Sequence, residues 1–146
     1  MTLRCHSPRL AASLDAWRDE MTGLVFVADD KTGEGWSEVA AELTDAFHLA
    51  KQSLSNGLAV VFVVHSDDLL GRNGPGKAMV ATGLLSAART AALEHRKAGV
   101  AVNVVAREEA TDPSLVARWC GFLMDGELPT GQLIHLGSEH IGKALP

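Results

Sequence analysis

Four short apolar runs, separated by stretches with helical periodicity, dominate the pattern of hydrophobic and polar positions along the chain. These runs are residues 23–28 (GLVFVA), 58–64 (LAVVFVV), 99–106 (GVAVNVVA) and 131–137 (GQLIHLG). Strands that are apolar on both faces and alternate with helices are typical of a parallel sheet with helices on both sides. The pattern therefore predicts an α/β fold with a Rossmann-like parallel sheet of about four strands.

Apolar positions at three- and four-residue steps predict the helices between these strands. A short helix is expected at about residues 7–21, a second from Trp36 to about Ser55, and a third at about 78–98. A fourth is expected to begin at Asp112–Pro113, which fit an N-cap followed by a first-turn proline.

The run at residues 23–28 is expected to form an edge of the sheet, because no strand is predicted before it. An exposed apolar edge invites aggregation. The N-terminal helix at residues 7–21 is the candidate cover, through Leu10, Leu14 and Trp17.

Bulk properties narrow the classes of protein. A chain of 146 residues with 47% hydrophobic residues fits one domain, residues 1–146, with a sizeable core. The net charge of −5 argues against nucleic-acid binding, and no apolar run reaches membrane-spanning length. Two distant cysteines and an N-terminus without a signal-peptide core favour a cytoplasmic location.

The stretch GRNGPGKAMV, residues 71–80, matches most of the phosphate-loop pattern through Gly71, Gly76 and Lys77. Ala78 stands where a hydroxyl would bind magnesium, and two carboxylates lie in the segment between the preceding strand and the loop. A Gly-rich turn before a helix is therefore the favoured interpretation.

From about residue 14 onward, the order of segments resembles the latter two-thirds of a short-chain dehydrogenase/reductase. The family's Asn-Asn-Ala-Gly strand end and N-L-T-G-x-F helix correspond to VADD (27–30) and ELTDAF (42–47). Its serine-containing strand end and the following Tyr/Lys helix correspond to VVFVVHS (60–66) and residues 71–94. Its last three motifs correspond to GVAVNVVARE (99–108), DPSLVARWCGFL (112–123) and PTGQLIHLGSE (129–139).

The resemblance implies that the catalytic positions are degenerate. The family uses a tyrosine as general acid/base with a lysine four residues later. Lys77 falls at the tyrosine position, Ala81 at the lysine position, Glu42 at the helix asparagine and Ser66 at the carbonyl-binding serine. No shift of register restores the tyrosine, since the chain contains none.

The nucleotide half of the family fold is also expected to be missing. A dinucleotide is held by a Gly-rich turn after the first strand. Residues 1–22 contain no glycine and leave no room for the usual β-α-β-α-β opening. We therefore expect no cofactor in this chain, with NAD on a partner subunit.

Histidines and carboxylates offer weaker alternatives. His135 with His140, or His65 with Asp67 and Asp68, could be drawn as metal ligands, but their spacing fits no known cage. His65, Ser66 and Asp67 could be drawn as a hydrolase triad, but neighbours at a strand end point apart. Neither a metal nor a triad is expected.

The predicted helix after the Gly-rich turn is apolar nearly all round, and a surface helix should show a polar outer face. In the family resembled, this helix and the one before it form a four-helix bundle across a twofold axis, and the last strand forms a second contact. The alternative is that both helix faces belong to the internal core. The expected interface residues are Phe47, Ala50, Leu84, Ala87, Ala88, Ala91, Ala92, Ile134 and Leu136.

Together these features favour a catalytically inactive subunit of a hetero-oligomeric, NAD-dependent short-chain alcohol dehydrogenase. Its partner would be a full-length active subunit, in a heterotetramer. The chain is similar in length and in lost residues to the inactive subunits of hydroxybenzylsuccinyl-CoA dehydrogenases of anaerobic toluene degradation, which implies a CoA-thioester secondary alcohol as substrate. The alternatives are an autonomous acyl-CoA or small-molecule binding protein, using a cleft near Ser66 and Lys77, and the structural half of a ketoreductase.

Overall fold

A computed structural model describes residues 1–125 and 129–138 of the chain. The strands are β1 (Thr2–Arg4), β2 (Gly23–Val27), β3 (Ala59–His65), β4 (Val102–Arg107) and β5 (Leu133–Leu136). The helices are α1 (Pro8–Asp15), α2 (Trp36–Ser55), α3 (Ser66–Leu69), α4 (Pro75–Glu94) and α5 (Pro113–Leu123), with short 3-10 turns at Arg18–Glu20 and Arg96–Ala98.

The described strands form one parallel sheet in the order β1-β2-β3-β4-β5. This confirms the predicted α/β fold and the four predicted strands, with bounds that shift by a few residues. The number of strands is five rather than about four, because β1 was not predicted. Three residues are too short for a period-two pattern to stand out in a sequence.

The prediction that residues 23–28 form a sheet edge is wrong. Thr2 pairs with Leu24 and Arg4 pairs with Phe26, so β1 supplies hydrogen-bond partners along this side of β2. The expected cover, the helix at residues 7–21, ends as α1 at Asp15 and lies on a face of the sheet. Its Leu10 and Leu14 are buried there, because a sheet face offers them far more apolar contact than a strand edge does.

Successive residues of the central strands point to opposite faces, and each face has its own apolar core. Leu24 and Phe26 of β2 belong to the core beneath α2 and α4. Val25 and Val27 belong to the core beneath α1 and α5. The near-continuous Val-rich runs of the sequence are explained by this burial on both sides.

The crossover connections differ in hand between the two faces. Each strand leads to its immediate neighbour, always in the same direction across the sheet. The connections through α1 and α5 pass over one face and those through α2 and α4 over the other, so the two pairs have opposite hands. Since right-handed crossovers are the strong rule, two of the four are of the rare left-handed kind. Only this mixture lets a sheet that steps in one direction cover both faces.

The ends of the long helices follow from local residues. Gly74 precedes α4 with φ of 101°, and Pro75 starts the helix three residues earlier than predicted. Asp112 caps α5, since its carboxylate accepts a hydrogen bond from the Ser114 N–H, as predicted. Among the described residues, no helix has the length and apolar character that a membrane crossing requires.

Candidate functional site

The carboxyl ends of the parallel strands meet at one edge of the sheet, where open α/β folds bind their ligands. Arg4 ends β1, and Asp29 and Asp30 follow β2. His65 ends β3 and Arg107 ends β4. Charged side chains from separate strands therefore lie at one edge, and their mutual contacts decide what that edge can do.

Arg4 and Glu42 form the most enclosed ion pair at this edge. Their side chains are 14% and 6% exposed, and the Arg4 guanidinium donates hydrogen bonds to both oxygens of Glu42. The same guanidinium donates to the Val27 carbonyl at 2.9 Å and to Asp45 at 3.0 Å. It also lies 4.6 Å above the ring centroid of Phe26. The hydrogen-bond donors of the Arg4 guanidinium are thus used in contacts within the chain.

Glu42 links this pair to the loop that follows β2. Its Oε1 atom accepts a hydrogen bond from the Asp29 N–H at 2.8 Å, in addition to the bonds from Arg4. The carboxylate therefore joins β1, α2 and the β2–α2 loop. It acts as a structural acceptor at the position that the family resemblance assigns to a helix asparagine.

Asp29 forms a second ion pair at the same edge, with Nδ1 of His6 at 2.9 Å from its Oδ2. Burial alone would raise the pKa of Asp29, but hydrogen bonds from His6 and the Lys31 N–H, together with the charges of His6 and Arg4, lower it below the ordinary value of 3.8. This carboxylate is thus held in its ionised form.

Arg107 and Lys77 hold the β2–α2 loop from the other side. Arg107 is buried, and its guanidinium contacts both carboxylate oxygens of Asp30 at 3.0 and 3.2 Å. Lys77 donates from Nζ to the Asp30 carbonyl at 2.6 Å. The buried Ser66 hydroxyl donates to the Arg107 carbonyl at 3.0 Å. Glu42, Ser66 and Lys77 lie at one edge of the sheet, and each of them bonds to other residues of the chain.

The Gly-rich turn before α4 carries a carboxylate where a phosphate loop would carry phosphate. The Gly76 N–H donates to Oε2 of Glu34 at 2.8 Å, and helix N-termini favour such negative charge. A side chain at Gly76 would collide with the Gly33 carbonyl, 2.8 Å from an added Cβ. The loop of residues 29–35 therefore packs closely onto the start of α4.

Several predicted residues do not contribute the chemistry that was considered for them. Ala81 is buried in the core beneath α4. The Ser66 hydroxyl bonds to the Arg107 carbonyl, while Nδ1 of His65 accepts the Asp67 N–H, so Ser66 and His65 do not form a nucleophile–base pair. Within the described ranges no three His, Cys, Asp or Glu side chains are grouped for a metal, and His140 lies outside those ranges.

Arg4 and Glu34 were not singled out from the sequence as site residues. Each contacts a group 38 or more residues away in the chain, which no local pattern encodes. An acidic loop after a strand was the only signal, and it is a common feature of strand ends.

A long apolar groove of about 760 Å³ lies between α2 and α4 on the outer surface. Of the predicted interface residues, Phe47, Ala50, Ala87 and Ala91 line it with accessible side chains, and Phe47 is 59% exposed. Ile134 is half-buried on β5.

Four other predicted interface residues are buried within the chain, namely Leu84, Ala88, Ala92 and Leu136. Of these, Leu84 lies at the floor of the groove. Helix α4 carries apolar residues on the side that faces the sheet and also on the side that faces outward. Because no polar face marks the outer side, the sequence does not indicate which side of this helix is buried.

Both cysteines are held as thiols. Complete burial raises the pKa of Cys120 to about 12. Burial also raises the pKa of Cys5, and hydrogen bonding to the Ser7 carbonyl offsets part of that effect. Neither environment activates a nucleophile.

No family model matches the chain, and no curated protein matches it either. Solved structures do match. One is an oxidoreductase of the short-chain dehydrogenase/reductase family from Burkholderia thailandensis, at 17% identity and a TM-score of 0.60, covering 88% of this chain and 68% of that one. The chain has a short-chain dehydrogenase/reductase-like fold.

Two other solved structures agree. A protein from Bacillus thuringiensis described as a 3-oxoacyl-reductase matches at 17% identity and a TM-score of 0.61, over 78% of this chain and 61% of that one. The promiscuous reductase LugOII, which catalyses keto-reduction at C1 in lugdunomycin biosynthesis, matches at 15% identity and 0.62, over 84% and 60%. The chain thus spans 60 to 68% of the lengths of these proteins, consistent with a truncated Rossmann-like fold.

Proposed function

We propose that this chain is a catalytically inactive structural subunit of a hetero-oligomeric, NAD-dependent short-chain alcohol dehydrogenase. It docks onto an intact, cofactor-binding homologue and stabilises it. The observation that carries the proposal is the edge at the carboxyl ends of the strands, where internal ion pairs of Arg4 and Arg107 lie in the region that this fold uses for its ligands.

The lost proton-transfer group supports inactivity. The family reaction needs a phenol hydroxyl beside a lysine, and the chain has no tyrosine. Lys77, at the tyrosine position, donates to the Asp30 carbonyl. Ala81, at the lysine position, is an apolar core residue. The Ser66 hydroxyl that remains has no proton-transfer partner.

The start of α1 supports the absence of a dinucleotide from this chain. A pyrophosphate needs glycines for close backbone approach and free N–H groups at a helix N-terminus. Here the chain passes from β1 into α1 through Cys5, His6 and Ser7, and Pro8 contributes no N–H to the first turn. The NAD of the complex is therefore assigned to the partner subunit.

The groove between α2 and α4 is the proposed docking surface. It is long, its lining is mostly apolar, and Phe47 at its rim stands largely in solvent. The small side chains of Ala50 on α2 and Ala87 on α4 leave room for close approach of another helix. An exposed apolar groove between two helices is a candidate interaction site. The corresponding helices of an intact subunit fit it, in a heterotetramer located in the cytoplasm.

The resemblance also suggests a substrate for the complex. The chain resembles the inactive subunits of hydroxybenzylsuccinyl-CoA dehydrogenases of toluene degradation in three features. These are its short length, the lack of the catalytic tyrosine and the lack of the Gly-rich dinucleotide-binding turn. By that resemblance, the partner's site oxidises the secondary alcohol of a CoA thioester with NAD.

Co-expression with an intact short-chain dehydrogenase encoded beside this chain tests the proposal. We expect a stable complex that binds one NAD per intact subunit by calorimetry. Ala87→Arg, which places a charge in the groove, should abolish the complex, whereas Gln52→Arg, at an exposed position of α2 outside the groove lining, should not. NAD binding or alcohol oxidation by the purified chain alone would overturn it.

The size of the groove also favours a second candidate, an autonomous binding protein for acyl-CoA or another small molecule. About 760 Å³ lies within the range of small-molecule pockets, and Lys51 and His95 offer polar groups at its rim. The site would be this groove and not the cleft near Ser66 and Lys77, where both side chains bond within the chain. A monomer that binds an acyl-CoA without a partner would favour this candidate.

A further inference from the structure

A separate pocket lies at the opposite end of the sheet, near the amino ends of the strands. It has a volume of about 410 Å³ and lies between the last turns of α4 and the segment that leads into β5. Its lining residues are Arg89, Ala92, Leu93, Arg96, Thr130 and Gly131.

Arg89 and Arg96 are the charged residues of this lining, and among the described residues neither has an ion-pair or hydrogen-bond partner. Among the residues that the structure describes, no carboxylate lines the pocket. By contrast, Arg4 and Arg107 are paired with acids. Within the described ranges, two arginines that share a pocket without a counter-charge are unusual in a chain whose net charge is −5.

The local geometry directs both arginines toward the same space. Arg89 lies in α4 and Arg96 begins the 3-10 turn that follows it, yet both line this pocket, together with the 75% exposed Leu93. Gly131 passes so close to α4 that an added Cβ would lie 3.3 Å from the Ala92 Cβ, at a φ of 76°. A bulkier residue there would narrow the pocket.

Other groups contribute little to recognition of an anion. The Thr130 hydroxyl accepts the Val102 N–H at 2.9 Å and donates to the Val102 carbonyl, so it is engaged with β4. The carboxyl end of α4 presents carbonyls, which do not attract anions. The attraction therefore comes from the two guanidinium groups.

We propose that this pocket binds the phosphate group of a small ligand, a site independent of the dehydrogenase partner. Guanidinium groups present planar forks of donors that match phosphate oxygens. A phosphate monoester carries about −1.5 to −2 charge at neutral pH, which two arginines balance. A ligand with a single carboxylate would balance only one of them. The remaining volume, beside Ala92 and Leu93, takes an apolar portion of the ligand.

Titration with inorganic phosphate at constant ionic strength, followed by NMR shifts of the Thr130 and Gly131 amides, tests the site in the full chain. We expect saturable binding that becomes weaker by about tenfold in Arg89→Gln and in Arg96→Gln, the loss of one charged hydrogen bond. Arg118→Gln is the matched control, because Arg118 is an exposed arginine on α5 away from the pocket.

Three results would overturn the proposal. They are shifts that rise without saturation, equal weakening in Arg118→Gln, and equally tight binding of the dicarboxylate glutarate. Neither pocket arginine holds another element in place, so both variants should keep the far-ultraviolet circular dichroism of the parent chain. Absence of a partner dehydrogenase does not affect any of these measurements, which keeps this test separate from that of the proposed function.

Discussion

Arg4 and Glu42, 38 residues apart in the chain, form an ion pair that fastens the three-residue strand β1 to α2. The pair is almost enclosed, and Glu42 also accepts the Asp29 N–H. A strand of three residues has few ladder hydrogen bonds of its own. The ion pair therefore fixes the edge of the sheet at the place where a complete Rossmann fold continues with further strands.

Removal of the Glu42 charge should destabilise the fold. Glu42→Gln removes the enclosed counter-charge of the Arg4 guanidinium and leaves only the half-exposed Asp45, and we expect a loss of about 3 kcal/mol in the free energy of unfolding. Asp45→Asn removes the other acid that contacts Arg4, but Asp45 is 47% exposed, so less than about 1 kcal/mol should be lost. Urea denaturation at pH 7 measures both. Equal losses in the two variants would contradict the structural role of Glu42.

Acid should weaken the fold partly through Asp29. Its pKa is lower in the folded chain than the ordinary 3.8, so its contribution is complete above that value and is lost as the pH falls through the folded pKa. We expect the urea midpoint of Asp29→Asn to fall less than that of the parent chain below about pH 4. Asp19→Asn, the same change at an exposed acid of the 3-10 turn, is the matched control.

The thiols should resist alkylation in the native state. The pKa of Cys120 is raised to about 12 and that of Cys5 is also raised, so at pH 8 few thiolates are present and Cys120 is out of contact with solvent. Mass spectrometry after iodoacetamide should find Cys5 modified slowly and Cys120 unmodified, with both modified in guanidinium chloride. Rapid native labelling of Cys120 would mean that α5 does not pack as described.

Restoring the catalytic hydroxyl should not restore catalysis. Lys77→Tyr supplies a phenol at the position implied by the resemblance, but position 81 remains an alanine in the core and no glycine cradle precedes α1. We expect no formation of NADH from secondary alcohols, measured at 340 nm with the isolated variant. The parent chain is the control. Measurable turnover by the variant would refute the account of the cofactor region given above.

Loss of the Lys77 contact should loosen the β2–α2 loop without disturbing the sheet. Lys77→Met removes the donor to the Asp30 carbonyl, while the Arg107 contact to the Asp30 carboxylate remains. Amide hydrogen exchange in residues 29–35 should become faster, and exchange in β3 and β4 should not change. Unchanged exchange throughout the loop would show that Lys77 contributes nothing to its position.

The local sequence pattern predicted most of the strands and helices, but not the edge strand β1 or the buried side of α4. The Val-rich runs and the Asp112–Pro113 helix start were predicted because burial on both faces and capping leave local signals. Strand β1 was missed, since only its pairing with Leu24–Phe26 identifies TLR as a strand. On α4, the division into buried Leu84 and Ala88 and accessible Ala87 and Ala91 could not be read from a helix that is apolar all round.

The amino-acid sequence by itself determined the α/β class, the order of four strands, and the lack of both a tyrosine and an N-terminal glycine turn. These properties depend on composition or on neighbouring residues, so they can be recognised without knowledge of the tertiary structure. Only the tertiary structure decided that Arg4 meets Glu42, that Asp30 meets Arg107 and that Glu34 lies at the start of α4. Those contacts join segments far apart in the chain, and their geometry exists only once the sheet has aligned the strand ends.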